Sequence, residues 1–377
     1  MLDAEGRALR AELIGLFTRP IDEPLTDEEF TELARRVFAY QFARNEPYAA
    51  YCRRRGVTPD AVEHWTRIPA VPTAAFKELP LVSGKPTDAE AVFRTSGTTR
   101  GKEKRGEHYI LDLSLYHGSL LPNFAAYLLP DGAELPMLSL VPSVREMVDS
   151  SLAHMIDVVM DRLGAEGSRS YATVALGIDY DALDAALERY AAEGTPVMLL
   201  GTSFSFVHWT DHLRERGVGF ELPPGSRLMD TGGFKGRSRE VPEAELRATY
   251  QELLGIPEDH VVNEYGMTEM CSQFYDSVLR EKVVRGAAGP RRKIPPPWVR
   301  TIPVDPETLE PVAPGAVGVL RHHDLANLGS VAAIQTEDLG RLEGDGFVVL
   351  GRASGAPPRG CSIAMDLLVE AARARGR

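Results

Sequence analysis

Residues 135–200 decide the fold: LPMLSLV at Leu135–Val141, SLAHMIDVVMDRL at Ser151–Leu163, YDALDAALERYAA at Tyr180–Ala192 and VMLL at Val197–Leu200. The first and last pieces are short apolar runs bounded by turn residues. The two between them place apolar residues at helical spacing. Strand, helix, helix, strand, with no alternation of polar and apolar residues inside the strand runs, predicts an α/β domain around a covered, largely parallel sheet.

Working outward, Ser226–Thr231 reads as another short strand running into Gly232-Gly233, Glu243–Leu254 as a helix, and Val261-Val262 as a buried strand end before Tyr265-Gly266. Upstream, Leu25 to Gly84 is helical in texture. Thr26 precedes Asp27, Glu28 and Glu29 and the apolar series Phe30, Leu33, Val37, Phe38, which predicts a capped amphipathic helix. Asn45-Glu46-Pro47 breaks it, a second helix covers Tyr48–Arg55, and Thr58-Pro59-Asp60 is read as opening a third. Downstream, the Gly- and Pro-rich stretch from Arg285 to Pro314 reads as a loop or a junction between sheets. Val317–Arg321, Ile334–Leu342 and Phe347–Leu350 follow as short antiparallel strands, and Met365–Arg373 as a small closing helix. The expected division is a helical region over 1–84, a catalytic core over 85–350 and a short tail over 351–377.

Composition narrows the function classes. The 42 basic and 54 acidic residues leave a formal charge of −12, the wrong sign for a non-specific nucleic-acid binder or for a surface that docks on anionic lipid. No apolar run approaches the length of a membrane span. Met1–Phe17 reads as an amphipathic helix rather than a signal peptide, because Asp3, Glu5, Arg7, Arg10 and Glu12 interrupt it. Three scattered cysteines, Cys52, Cys271 and Cys361, make neither a disulfide framework nor a metal site, so a reducing cytoplasmic setting is expected.

Two local segments carry chemistry. Thr95-Ser96-Gly97-Thr98-Thr99-Arg100-Gly101-Lys102 packs hydroxyls and glycines so that backbone N–H groups and side-chain O–H groups can surround phosphate oxygens, with Lys102 adding a charge. The spacing is not that of a Walker A loop. Read alone, it is equally a polar hairpin. Asn263-Glu264-Tyr265-Gly266-Met267-Thr268-Glu269 offers a ring to stack on a base, a glycine for close approach, a hydroxyl for a phosphate and a carboxylate for a divalent cation. Read alone, it is a strand-to-helix turn with a capping threonine.

Taken in order with Gly232-Gly233, Thr336-Glu337-Asp338-Leu339-Gly340 and Gly351-Arg352, these segments resemble the motif series of adenylate-forming enzymes. Asn45-Glu46-Pro47-Tyr48, Ile68-Pro69 to Phe76-Lys77 and Arg359-Gly360-Cys361-Ser362 sharpen the resemblance toward the LuxE-type acyl-protein synthetases, over about residues 30 to 370. The resemblance implies the α/β fold of an adenylate-forming N-terminal domain, with mixed and parallel sheets, flanking helices and a small β-rich subdomain. It also implies that a separate C-terminal lid domain is absent or vestigial.

It further implies ATP and Mg²⁺ as cofactors. Thr95, Ser96, Gly97, Thr98, Thr99 and Lys102 would hold the ATP phosphates. Gly232, Gly233, Tyr265, Gly266 and Thr268 would surround the adenine and α-phosphate. Glu269 would hold the metal, Asp338 the ribose, and Arg352 would lie at the hinge. His154, Ser203 and Phe204 are the residues expected to line the acyl pocket; a structural helix histidine and a strand-end turn are the alternatives. Departures are Arg100 where glycine is frequent, Glu103 in place of a Pro-Lys-Gly-like continuation, and Glu337 in place of a glycine. They leave open which of Arg100, Lys102 and Lys104 faces the β- and γ-phosphates.

The resemblance gives Cys361 the role of receiving the acyl group as a thioester. Arg359 nearby and a helix opening at Ser362-Ile363 would favour its thiolate. The expected reaction is activation of a carboxylic acid, of fatty or related type, to its acyl-adenylate, followed by transfer to Cys361 and on to a partner such as an acyl reductase, a carrier protein or coenzyme A. Two alternatives stand beside it: a ligase of the same fold that hands the acyl group directly to its acceptor, and a non-catalytic scaffold.

Overall fold

A computed structural model describes residues 2–96, 104–232, 241–352 and 364–370. The chain divides into two compact units. One comprises Met1–Pro122, Met267–Gln273 and Lys293–Arg377, the other Asn123–Gly266 and Phe274–Arg292.

The second unit holds the region that opened the sequence reading. Its strands run in the order Arg169–Ser170, Met137–Ser139, Met198–Thr202, Arg227–Thr231, Val261–Tyr265, Phe274–Asp276. The first five pair in parallel and Phe274–Asp276 returns antiparallel. The apolar runs are continuous because the sheet is covered on both faces: Leu138, Leu199 and Leu228 are fully buried among Leu183, Leu187, Phe206, Trp209, Tyr250 and Leu254 of the helices. The helices start and stop where the chemistry provides. Ser150 and Asp179 accept N-terminal backbone N–H groups, and Gly194, Gly217 and Gly255 close helices in the left-handed conformation.

In this unit Arg227 is buried in the sheet with its guanidinium paired to both Asp131 oxygens, at 3.0 and 2.8 Å, and to the Leu128 carbonyl at 2.9 Å. A buried charge is tolerated only with such complete pairing.

The first unit is helical at its start and antiparallel β later. Thr26 caps Asp27–Arg44 through a full capping box with Glu29. Asn45 ends that helix and caps the next, Glu46–Arg54. The third helix expected at Thr58 is only a single 3₁₀ turn, Pro59–Ala61, ended by extended Val62. The strands Val299–Val304, Gly318–Asp324, Ala333–Glu343 and Gly346–Arg352 pair antiparallel in sequence, and Lys293–Ile294 joins Gly346–Arg352. Two strands therefore lie inside the stretch expected to be a loop or a junction between sheets.

A separate hairpin pairs Ala91–Arg94 with Glu107–Ile110. Residues 364–370 form a helix that buries Ala364 and Leu368, with Glu370 ion-paired to Arg54 at 2.9 Å. Among the described residues no helix is long and apolar enough to cross a membrane.

Candidate active site

The second unit presents a polar edge at the carboxyl ends of its parallel strands, the place where open α/β sheets receive ligands. Thr202, Thr231 and Glu264 are direct register partners across three neighbouring strands. Thr231 donates its hydroxyl to the Glu264 carboxylate, and both side chains are buried. The next residues along these strands are the ones expected from sequence: Ser203, Gly232 and Tyr265. Ser203 donates to the Gly232 carbonyl at 3.0 Å, so its hydroxyl fixes Gly232. Gly232 has φ +74°, which an L side chain would strain. Tyr265 is partly exposed and its ring is tilted 35° to that of Phe274 at 5.8 Å.

Below this edge runs a buried polar chain. Tyr250 donates to Asp230 (3.3 Å), the Asn263 amide donates to Asp230 (2.8 Å), and the Asn263 backbone N–H donates to Asp276 (3.0 Å), which Arg291 holds at 2.8 Å. It pins the strand that presents Tyr265. Thr202 caps the helix Ser203–Arg216 in a capping box with Ser205, and Phe204 sets its ring against His208 at 4.4 Å. His154 sits half-buried in the first turn of Ser151–Leu163. Gly266 is exposed at the end of the Tyr265 strand.

The first unit holds the rest of the described candidates. The neck of the hairpin is closed by Thr95: its N–H donates to the Gly106 carbonyl and its hydroxyl accepts from the Gly106 N–H, both at 2.9 Å. Arg105 clamps the same neck, donating to the carbonyls of Thr95 (2.6 Å) and Arg94 (3.1 Å). Ser96 and Lys104 are exposed on either side of it. Gly97, Thr98, Thr99, Arg100 and Lys102 lie outside the described residues, as do Gly233 and Cys361.

The Thr268-Glu269 turn is gripped by two buried side chains that the sequence reading did not single out. His108 Nδ1 lies 2.7 Å from the Thr268 carbonyl oxygen and its Nε2 2.9 Å from Oδ1 of Asn327; both oxygens are acceptors, and a neutral ring donates to one of them. The Asn327 amide donates to the carbonyls of Glu269 and Val331, both at 2.9 Å. Burial lowers the His108 pKa to about 4, so the ring is neutral near pH 7.

Asp338 and Arg352 are register partners on adjacent strands, 3.5 Å apart at their charged ends, with Glu337 3.7 Å from the same guanidinium. Thr336, by contrast, is buried and spends its hydroxyl on the Leu320 carbonyl. The acidic motif therefore offers its two carboxylates beside one arginine.

A metal fits the Glu269 position in one specific way. Among the described residues no three or more His, Cys, Asp or Glu side chains gather as a ligand cage. A single, nearly buried carboxylate suits Mg²⁺ that keeps its waters and is otherwise held by substrate phosphates.

Comparisons with known proteins agree with this architecture. Residues 171–369 match the family described as LuxE, acyl-protein synthetase. The chain belongs to the LuxE family of acyl-protein synthetases. LuxE relatives include the long-chain-fatty-acid–luciferin-component ligase of Aliivibrio fischeri, 22% identical over 90% of this chain and 88% of that one. The same ligase of Vibrio harveyi is 22% identical over 89% and 87%. Among solved structures, a 2-hydroxyisobutyryl-CoA ligase in complex with 2-HIB-AMP and CoA superposes with a TM-score of 0.63 at 14% identity, over 86% of this chain and 74% of that one. The fold is that of the adenylate-forming ligases, and as a LuxE family member the chain is an ATP-dependent acyl-adenylate-forming ligase.

Proposed function

We propose that this enzyme adenylates a fatty acid with ATP and Mg²⁺, takes the acyl group onto Cys361 and passes it to a partner. A carboxylate oxygen attacks the α-phosphorus in line, the bond to the β-phosphate oxygen breaks, and pyrophosphate leaves with the electron pair. No base is needed, because a carboxylate is already ionised at neutral pH. The protein's task is to position the reactants and spread charge. Tyr265 and the Ser203-braced Gly232 turn would hold the base, Asp338 the ribose, and the loop closed by Thr95 the phosphates. Glu269 would hold Mg²⁺, which supplies charge neutralisation on the phosphate oxygens. In the second half a thiolate sulfur bonds to the acyl carbon, the bond to the AMP oxygen breaks, and AMP leaves.

The observation that carries the reading is the common edge on which Ser203, Gly232 and Tyr265 stand, in a chain similar along nine-tenths of its length to ligases of long-chain fatty acids. The thiol chemistry favours Cys361 over the other two cysteines. Cys52 and Cys271 are buried, which pushes the first thiol up to about 12 and the second well above its ordinary value. Neither is an accessible thiolate nucleophile.

The test is ATP–pyrophosphate exchange with a panel of acids. Exchange is expected to depend on a long-chain acid, and Cys361→Ser should keep the exchange while losing the covalent acyl label. Exchange independent of any acid would refute the adenylation step. A label retained in Cys361→Ser would move the acceptor elsewhere.

A further inference from the structure

The hairpin that carries the Thr95 neck and the turn that carries Glu269 are far apart in sequence, yet one buried circuit joins them. Starting from the Thr268 carbonyl it runs through the His108 ring to the Asn327 side chain and on to the Glu269 carbonyl, with contacts of 2.7, 2.9 and 2.9 Å, and the neutral ring donates its one N–H to one of its two oxygen neighbours. Its two side chains are deep: His108 has no exposed surface and Asn327 1%. Phe76 closes over the His108 ring edge-on at 5.7 Å, and Cys271 Sγ lies 3.6 Å from Asn327 Oδ1. His108 is the register partner of Phe93, two residues before Thr95, so its ring stands at the base of the loop neck.

The Asn327 amide bonds the Glu269 and Val331 carbonyls, and the buried His108 ring packs between Asn327 and the Thr268 carbonyl, so the two side chains together hold the backbone of the turn. The Thr268 and Glu269 carbonyls they touch are those of the turn whose side chains would meet the α-phosphate and the metal.

We propose that His108 and Asn327 are positioning residues that fix the turn bearing the Glu269 carboxylate, and so determine how strongly Mg²⁺ and ATP reinforce one another's binding. This rests on the adenylation reading above. Neither side chain touches nucleotide or metal; each acts through a backbone carbonyl. The expected signature is a loss of cooperation between the two ligands, with little change in ATP affinity when no metal is present.

The experiment is calorimetric titration of the full chain with ATP, once in Mg²⁺ and once in EDTA. In the wild type, Mg²⁺ should tighten ATP binding. His108→Leu should reduce that gain about 10- to 100-fold, as for other groups that orient a metal ligand from behind. His108→Asn keeps an N–H near the Nδ1 position and should recover most of the gain. Should His108→Leu not fold, Asn327→Ser carries the same expectation, since it withdraws the amide from the Glu269 carbonyl. Thr301→Val is the control, because it removes the 2.8 Å partner of His322 in the same unit and should lower stability without altering the Mg²⁺ gain.

A wild type whose ATP binding ignores Mg²⁺ would overturn the adenylation reading and this inference together. A normal wild type with an unaltered gain in His108→Leu, or an equal loss with and without metal, would overturn the inference alone.

Discussion

The strands of the two units bury polar side chains in different ways. In the parallel sheet of the second unit the strand centres are mostly aliphatic, and the acidic groups Asp230 and Glu264 stand at or beside the carboxyl ends. In the antiparallel sheet of the first unit the strand Gly318–Asp324 is buried throughout, yet it carries Arg321, His322, His323 and Asp324 in succession. These are consumed internally. Arg321 binds Gln335 and the Leu309 carbonyl. His322 meets Thr301. Asp324 accepts from Ser272 and from the backbone of Cys271 and Ala326. In the second unit apolar packing dominates, with the acidic groups at the ligand edge and the paired Arg227 buried at the opposite end. In the first unit a polar set shares the interior with Val319, Leu320 and Ile334 and brings sensitivity to protons.

The contrast can be broken in three places, in falling order of effect. Leu199→Ala empties the middle of the parallel sheet and should cost about 2–5 kcal/mol in denaturant unfolding. A loss below 1 kcal/mol would mean that apolar packing does not dominate there.

Acid should act on the first unit. Burial lowers His322 to about 3 and His323 well below its ordinary value. Below pH about 6.5 the unfolded chain therefore gains protons that the folded chain refuses, and stability falls as pH drops toward the folded values. Asp324 is raised to about 6, so between there and its unfolded value near 3.8 it holds an extra proton in the folded state and offsets one histidine. Among the described residues, His323 Nε2 is buried without a hydrogen-bond partner. His323→Phe should flatten the acid slope by up to about 1.4 kcal/mol per pH unit between pH 6 and 4. Melts at pH 7, 6 and 5 read the slope, and an unchanged slope would clear this imidazole of the acid effect. Smallest, Thr26→Ala removes an exposed capping box from the first unit and should cost about 1 kcal/mol, lowering its melting temperature without touching the acid slope.

What was legible in the sequence follows the same division. The parallel unit announced itself through unbroken apolar runs and helix caps; Glu243–Leu254 was read to the residue. The Thr26 helix was equally plain, because a capping box is a local code. Failures came where local signals misled. Thr58-Pro59-Asp60 has the letters of a helix start but yields one turn, since extended Val62 ends it. The strand Val299–Val304 hid behind Pro295–Pro297; it ends its sheet, where Pro303 can sit without interrupting a ladder on both sides.

In the site, motif order pointed to Gly232, Tyr265, Glu269 and Asp338. It could not show that Ser203 spends its hydroxyl on Gly232. Nor could it find His108 and Asn327, 219 residues apart, whose pairing exists only in the folded chain.

The docked helix at residues 364–370 bears on the proposed acyl acceptor. Leu368 and Ala364 are sunk into the first unit, so the chain upstream is moored at a known point. Three residues of backbone span at most about 10–11 Å, which bounds how far the Cys361 Cα can stray from that of Ala364 while the helix stays seated.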